Sequence, residues 1–231
     1  MPGSLKSLGA ISAATRRQLI LDRLRDAISS GELAPGTHLG EVELSEALGV
    51  SRGTLREALR HLQQDGLLTS DSRGRLSVRV VTATEVSEIF DVRCALETWA
   101  FAEICANPDR AAVVDELRSL LDELKQATGD FAAQVGADLE LHERMCALSG
   151  NRTLHQTWLG VSGLARAAIT AAGSPPALAN MAYDRHLPII TMLQEGDTDG
   201  GAAFLRDHMR DAADRILTAM DNRQQADAAG H

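Results

Sequence analysis

The sequence LSEALGVSRGTLREALRHLQQDGLL, residues 44–68, decides the fold of the N-terminal part of the chain. Its first residues have the apolar spacing of a short helix, and Gly49 suits the cap at the end of that helix. Ser51 then offers a hydroxyl as the N-cap of a second amphipathic helix. A short helix, a turn that contains glycine and a second amphipathic helix predict a helix-turn-helix, whose second helix can enter the major groove of DNA.

The start of the second helix carries polar residues that we expect to contact DNA. A helix N-terminus presents free N–H groups and a partial positive charge, both of which favour a phosphate group. Each residue alone also has an interpretation without DNA: the serine can serve simply as a helix cap, and each arginine simply as a solvent-exposed charge. Together they favour a DNA-contacting surface that consists of Ser51, Arg52, Thr54 and Arg56.

Residues on both sides extend this pattern to a winged helix-turn-helix. Upstream, residues 21–33 have the pattern of an amphipathic helix and are followed by a Pro-Gly turn. Downstream, Leu76, Val78 and Val80 alternate with polar residues, as in one strand of a two-stranded hairpin. The tip of this hairpin is basic, and we expect it to lie against the phosphates of DNA through Arg73, Gly74 and Arg75.

From residue 82 onward the pattern changes from strand to helix. Six segments with helical apolar spacing are joined by short loops, which predicts an all-α antiparallel six-helix bundle. The predicted fold class is therefore mainly α, with one small β-hairpin in the N-terminal domain. We divide the chain into a flexible leader (1–14), a winged helix-turn-helix domain (15–81), a helical effector-binding and dimerisation domain (82–222) and a flexible tail (223–231).

Charge and composition exclude several classes of protein. Residues 1–80 hold 11 Lys and Arg against 9 Asp and Glu, whereas the remainder holds 12 against 23 and gives the chain its net charge of −9. Such an acidic chain is unsuited to coating nucleic acid without sequence preference. An aromatic content of 3% leaves few platforms for stacking single-stranded bases. Since we find neither a signal peptide nor an apolar run of membrane-spanning length, we expect a cytoplasmic protein with no membrane partner.

Four potential metal ligands lie at or beside apolar faces of the predicted bundle helices. Asp138 and His142 are four residues apart and therefore share one face of a helix. His186 and His208 each lie next to leucine, isoleucine or methionine on two other helices. Each histidine alone is more often an ordinary core residue. Three imidazoles and a carboxylate that converge suit a divalent ion such as zinc, nickel or manganese.

The N-terminal segments resemble, in order, the winged helix-turn-helix of GntR-type bacterial transcription regulators. The matching stretches are ISSGELAPGTHL (28–39), ELSEALGVSRGTLREALRHLQQDGLL (43–68) and the Arg-Gly of the hairpin tip. This resemblance covers residues 15–81 and implies binding to double-stranded operator DNA. One departure is Gly53, where the family usually has threonine. Glycine costs about 1 kcal/mol in helix propensity relative to alanine.

The bundle resembles the effector (FCD) domain of the FadR subfamily of these regulators. The matching stretches are DLELHERMCALSGN (138–151), YDRHLPII (183–190) and FLRDHM (204–209). Members with this pattern hold a metal within six helices. The resemblance therefore implies that one divalent ion in each subunit is held by Asp138, His142, His186 and His208.

An arginine of the first bundle helix is the candidate for binding an effector. The stretch DVRCALE (91–97) is similar to the motif of the same domain in which the arginine faces the pocket. Arg93 is therefore expected to bind a small carboxylate in bidentate fashion. The alternative is an ordinary salt bridge on the surface or between helices. Arg166 is a weaker candidate of the same kind.

These patterns predict a homodimeric transcription regulator whose binding to operator DNA is modulated by a small organic acid at the metal. Repression that an effector relieves is the usual arrangement in the family that the chain resembles. Two alternatives remain open: the metal itself is the signal, or the bundle is a metalloenzyme for hydrolysis or oxygen chemistry. We find no general acid/base pair beside the predicted ligands, and we expect that the protein is not an enzyme.

Overall fold

The N-terminal part of the chain folds as a winged helix-turn-helix in a computed structural model that describes residues 13–229. The recognition helix predicted from the sequence is the third helix. The turn before it passes through Gly49, whose φ of 62° is one that glycine adopts without strain. The elements are α1 (Ala13–Ser30), α2 (Glu41–Ala47), α3 (Arg52–Gln64), β1 (Leu68–Ser70) and β2 (Leu76–Val78).

Helix α3 is amphipathic, and its apolar face forms the core of this domain. Ser51 caps the helix, because its Oγ accepts a hydrogen bond of 3.2 Å from the backbone N–H of Thr54. The apolar face packs against α1, and each buried leucine stabilises the fold by about 1.5–3 kcal/mol. The arginines are thereby left on the solvent side. The buried residues of α3 are Leu55, Ala58, Leu59 and Leu62.

The predicted wing is a short antiparallel hairpin. Strands β1 and β2 pair with Leu68 opposite Val78. His38, in the loop after α1, adds a single bridge to Ser77. The hairpin is therefore fixed on one side by the loop that precedes α2, and its tip projects away from the core.

The C-terminal part is entirely helical in the region that the structure describes. Helix α4 is its centre and packs against α6, α7 and α10. It begins at a capping box in which Thr82 and Glu85 each satisfy a backbone N–H of the other. Every helix of the described chain is too short or too polar to cross a membrane. The helices are α4 (Ala83–Ala106), α5 (Arg110–Gln126), α6 (Phe131–Leu148), α7 (Arg152–Ala172), α8 (Ser174–Asn180), α9 (Tyr183–Glu195) and α10 (Thr198–Ala229).

The mainly α fold class with one small hairpin is confirmed, but the number of helices in the bundle differs. The fifth predicted helix, from residue 178 to 193, is divided into α8 and α9 because Ala182 between them is extended. The bundle therefore has seven helices within the described residues instead of six.

The ends of the chain also differ from the prediction. We predicted a flexible tail from residue 223, whereas α10 continues to Ala229. Its last residues contain neither glycine nor proline, so nothing in the sequence ends the helix there. Arg223 also donates a hydrogen bond of 3.2 Å from Nη1 to the carbonyl of Ala171 at the end of α7. The predicted leader lies outside the described residues as far as residue 12, and α1 begins at Ala13.

The two parts of the chain meet where α1 packs against α6 and α7, and also where the end of α3 touches α7. A Cβ added to Gly163 of α7 would lie 1.2 Å from the carbonyl oxygen of Asp65, which caps α3. A Cβ on Gly66 would lie 2.7 Å from the side chain of Leu164. Backbone therefore lies directly on backbone between Gly163 and Asp65, whereas Gly66 meets the end of the Leu164 side chain.

A pair of glycine substitutions tests this contact. We expect Gly163→Ala to lower the free energy of unfolding by about 1–3 kcal/mol, because the new methyl group overlaps the Asp65 carbonyl. Gly160→Ala, one turn earlier on the same helix and with open space around it, should raise stability by up to about 1 kcal/mol. Urea unfolding of both variants measures the difference. Equal stabilities would contradict the close contact between α3 and α7.

Candidate functional site

Three buried histidines converge inside the bundle. His142 lies on α6, His186 on α9 and His208 on α10, and one ring nitrogen of each lies within 4.8 Å of one ring nitrogen of each other residue. The rings are 2%, 0% and 6% exposed, so they are removed from bulk water. Residues far apart in the sequence are thus brought to a single point in the core, which is the arrangement that a metal ion requires.

Two of the imidazoles have their tautomers fixed by their neighbours. His142 Nδ1 lies 2.5 Å from Glu97 Oε2, and His186 Nδ1 lies 3.0 Å from the carbonyl oxygen of Ala182. A carboxylate and a carbonyl can only accept, so both Nδ1 atoms carry the proton. Each Nε2 is therefore left with its lone pair, the form that binds a metal.

The two Nε2 atoms face each other at 3.2 Å. Two lone pairs at this distance repel unless a cation or a proton lies between them. A tetrahedral ion with Zn–N bonds of about 2.0–2.1 Å separates its ligand nitrogens by about 3.3 Å. Burial, followed by repulsion from any proton gained by His186 or His142, lowers the pKa of His208 well below its usual value and keeps that ring neutral. The three histidines therefore fit one divalent ion.

Asp138 lies beside the histidine group. Its Oδ1 is 3.1 Å from His186 Nε2, and its side chain is 6% exposed. Burial alone would raise the pKa of this carboxyl. When His186 is protonated, its hydrogen bond and its charge, followed by the charges of His142 and Arg93, outweigh burial and lower the pKa of Asp138. Asp138 is thus an ionised carboxylate beside the histidine group, on the helix turn before His142, but it lies outside the set of three histidines whose ligand atoms are all within 4.8 Å of one another.

Glu97 is the buried acceptor that joins the surrounding helices. Its Oε1 accepts hydrogen bonds of 3.0 Å from Arg93 Nε and 3.1 Å from Trp158 Nε1, while Oε2 accepts from His142. Burial raises the pKa of Glu97, but the interactions with His142 and with the Arg93 guanidinium outweigh burial and lower that pKa to about 2. The sequence showed Arg93 and Glu97 as a pair four residues apart. The roles of His142 and Trp158 at this carboxylate were missed.

Arg93 forms a buried salt bridge and also borders a cavity. Only its Nε is used by Glu97, and its two terminal nitrogens donate no hydrogen bond to any residue in the described part of the chain. The cavity measures about 20 Å³, enough for one water molecule. The polar side chains that line it belong to Arg93, Asp138, His142, Asn180 and His208.

Arg166 lies outside this cavity. It lines a larger space of about 820 Å³ between α6, α7 and the DNA-binding part, together with Arg25 and Asp65. Arg25 is already paired with Asp65 at 2.8 Å. Burial, and then the charge of Arg25, lowers the pKa of Arg166 to about 10. The structure therefore separates the two predicted effector-binding arginines.

The predicted DNA-contacting residues of α3 share one exposed surface. Ser51 Oγ lies 2.8 Å from Thr54 Oγ1, so both hydroxyls are engaged at the cap. Arg52 is exposed and forms no ion pair with a residue that the structure describes. Arg56 is also exposed, but its Nε donates to Glu41 Oε2 on α2 at 2.7 Å. This restraint could not be predicted from the sequence, because it depends on how α2 crosses α3.

The tip of the wing is arranged around one carboxylate. Asp71 Oδ1 accepts hydrogen bonds of 2.9 Å from the backbone N–H groups of Arg73 and Arg75, and Asp71 Oδ2 lies 2.7 Å from Arg75 Nε. These hydrogen bonds, the backbone one from Arg75 first, lower the pKa of Asp71. Gly74 adopts a φ of 76° at the turn. Asp71 therefore ties together the backbone of the basic tip, and Arg75 is already paired.

Comparison with known families matches both parts of the chain. The family described as bacterial regulatory proteins, gntR family, matches residues 16–78. The family described as FCD domain matches residues 88–211.

Individual relatives agree with these matches. The Nta operon transcriptional regulator of Aminobacter aminovorans is 32% identical over 187 residues, which cover 79% of this chain and 86% of that protein. The uncharacterised HTH-type regulator YdhC of Bacillus subtilis is 32% identical over 58% of this chain, a match that spans 60% of its own length. Other relatives are named as operon repressors. A GntR regulator from Rhodococcus sp. RHA1 has a solved structure with a TM-score of 0.71, at 26% identity over 89% of this chain and 99% of that one.

Removing the charge of Glu97 tests its control over His142. In Glu97→Gln the amide nitrogen can face His142 Nδ1 and force the imidazole proton onto Nε2, which then cannot bind a metal. We expect zinc affinity to fall by roughly 10–100-fold, measured by competition with a chromophoric chelator. Glu143→Gln is the control, because Glu143 only meets the partly exposed His155. Unchanged zinc affinity in Glu97→Gln would show that this contact does not orient His142.

Proposed function

We propose a function for this chain from the fact that it belongs to the GntR family of bacterial regulatory proteins and carries an FCD domain. It is a homodimeric transcription regulator in the cytoplasm, and its binding to operator DNA responds to a small carboxylate. The ligand would be held at one divalent ion in each helical domain, residues 82–222, and DNA by the winged helix-turn-helix, residues 15–81. The main support for this proposal is that the Nε2 atoms of His142 and His186 lie 3.2 Å apart beside the buried Arg93. Family and relatives point to transcription regulation and away from catalysis.

The ion would be bound by the four predicted ligands, Asp138, His142, His186 and His208. Three neutral imidazoles and one carboxylate suit zinc, nickel or manganese and leave a position for an oxygen donor. The ion, when bound, supplies a Lewis-acidic centre for a ligand oxygen. The protein's own contribution is to fix the proton on each Nδ1 and to exclude bulk water.

Arg93 would supply the second contact to the acid. Its Nε is held by Glu97, which fixes the plane of the guanidinium in the core. The two terminal nitrogens remain, and a guanidinium presents such nitrogens to a carboxylate in a matching geometry. A small anion is therefore favoured over a neutral molecule. Arg166 lies in the cavity between the two parts, so we do not include it in this site.

The DNA contact would be made by α3 and the wing. The N-terminus of α3, with Ser51 and Thr54 at its cap, favours a phosphate group. Arg52 is free to reach a base edge, guanine first. Arg56 must break its ion pair with Glu41 before it can contact DNA. The wing would position the protein on the phosphates through Arg73, Gly74 and Arg75.

A continuous set of contacts links the two sites. Trp158 on α7 binds Glu97, which in turn binds His142 of the proposed metal centre. Five residues further along α7, Gly163 touches Asp65 at the end of α3. A ligand that shifts α7 would therefore shift the recognition helix. The ligand would change the free energy of DNA binding by, at most, the difference between its binding free energies for the two positions of α7.

An apolar stripe on α4 supports the homodimer. Trp99 is 59% exposed and Val92 is 41% exposed, which is unusual for a tryptophan in the middle of a long helix. The stripe repeats at intervals of three and four residues, the spacing of a coiled-coil seam. A second copy of the chain would cover it and bring two recognition helices to one operator. The stripe consists of Val92, Ala95, Trp99, Ala102 and Ala106.

Two substitutions separate DNA binding from ligand response. Arg52→Ala should weaken binding to a duplex selected from a random pool by about 1–3 kcal/mol, with helical content unchanged. His186→Ala should keep that binding but lose zinc and any response to small acids. Fluorescence anisotropy of the labelled duplex, with zinc and a panel of two- to four-carbon acids, measures both.

The same titration decides between the alternatives. A DNA response to zinc that no acid alters would make the metal the signal. Full DNA affinity in Arg52→Ala, together with a metal-free wild type after refolding with zinc, nickel and manganese, would overturn the proposed function.

The stripe on α4 has its own test. Trp99→Ser should weaken self-association by about 2 kcal/mol or more, as expected for a tryptophan at the centre of an interface. Sedimentation equilibrium measures the change. Leu159→Ser, which alters an exposed leucine of α7, is the control. If Trp99→Ser sediments as wild type does, another surface forms the dimer.

A further inference from the structure

One buried amide in the cavity has an unpaired oxygen. Asn180 ends α8 and is 7% exposed. Its Nδ2 donates a hydrogen bond of 3.1 Å to the carbonyl oxygen of Ala212 on α10. Its Oδ1 is buried and accepts no hydrogen bond from the residues that the structure describes. Buried acceptors without a donor are costly, so a group that can donate is expected there.

The orientation of this amide is fixed by its partner. A backbone carbonyl can only accept, so the NH₂ group of Asn180 must face Ala212. Rotating the amide by 180° would place two acceptors against each other. The group presented to an incoming ligand is therefore a hydrogen-bond acceptor.

Asn180 shares its cavity with Arg93, Asp138, His142 and His208. A simple carboxylate ligand would meet Arg93 and the ion, but it has only acceptor atoms and leaves Asn180 Oδ1 unpaired. A ligand with a hydrogen-bond donor beside its carboxylate can bind Arg93, the ion and Asn180 Oδ1 together. An ammonium donor would be repelled by Arg93 and by a divalent cation. A hydroxyl group carries no such charge.

We propose that Asn180 selects a small hydroxy acid, by accepting a hydrogen bond from a hydroxyl next to the carboxylate. This inference rests on the proposed function, because it assigns the chemical class of the ligand bound at the same site. The cavity of about 20 Å³ admits no acid without movement of its walls. Met181 and Met209 line it, and the flexible methionine side chain is suited to such movement. Acids of two or three carbons require the least displacement.

Two pairs of acids that differ by one hydroxyl test the proposal. The zinc-loaded full-length protein is titrated by calorimetry with glycolate and acetate, and then with lactate and propionate. In the wild type each hydroxy acid should bind roughly 5- to 150-fold more tightly than its partner. In Asn180→Leu that ratio should fall towards one, with acetate affinity and zinc content preserved.

Gln134→Leu is the matched control. Gln134 is another buried amide, whose Nε2 donates to the Met181 carbonyl at 3.3 Å and whose Oε1 is also unpaired. It is not among the residues that line the cavity, so its removal should leave the preference for hydroxy acids intact. A loss of that preference in both variants would mean that it comes from general packing and would overturn the role of Asn180.

The remaining outcomes separate this inference from the proposed function. Equal binding of glycolate and acetate by the wild type would overturn the role of Asn180 while leaving the acid site in place. Equal weakening of both acids in Asn180→Leu would also overturn it, because Asn180 would then bind a water molecule common to both. If none of the four acids bound the zinc-loaded wild type, the proposed function would fail together with the inference.

Discussion

The charged contact at Glu97 is the constraint on which the helical domain depends. A fully buried carboxylate is costly unless it is paired, and loss of one partner of a buried pair typically costs 3–5 kcal/mol. Glu97 meets this requirement with donors from its own helix, α4, from α6 and from α7. Three helices are therefore fixed at a single point. The same contacts set the proton of His142 and the plane of Arg93, so the geometry of the proposed ligand site follows from the way in which one buried charge is neutralised.

The features that could be predicted from the sequence depend on local order. Helix α3 follows from its apolar spacing and its serine cap, and the wing follows from alternation around a glycine. The four proposed ligands were found because the sequence resembles a family in which they recur. Their spacing alone left each histidine with an ordinary role in the core. What the structure adds is the convergence of three rings and the direction of the Nε2 atoms of His142 and His186.

The features that were missed depend on how distant elements cross. Arg56 is restrained by Glu41 only because α2 lies across α3, and Arg166 lines a cavity with Arg25 only because the two parts of the chain are in contact. Asn180 carries no local signal, since an asparagine near a predicted turn is common. Its significance comes from the Ala212 carbonyl, 32 residues away. The division between α8 and α9 brings it to the cavity.

The arginines of the proposed DNA-contacting surface differ in what they displace when they meet a phosphate. Arg56 and Arg75 each hold a carboxylate of their own at 2.7 Å. A phosphate contact expels condensed cations from DNA, but a carboxylate that loses its arginine recruits cations in turn. Operator binding therefore releases fewer counterions than the number of arginines suggests, and affinity declines less steeply with ionic strength. The same pairing weakens attachment to random DNA, which outnumbers operators in a genome. These ion pairs consequently favour discrimination between sites over tight binding as such.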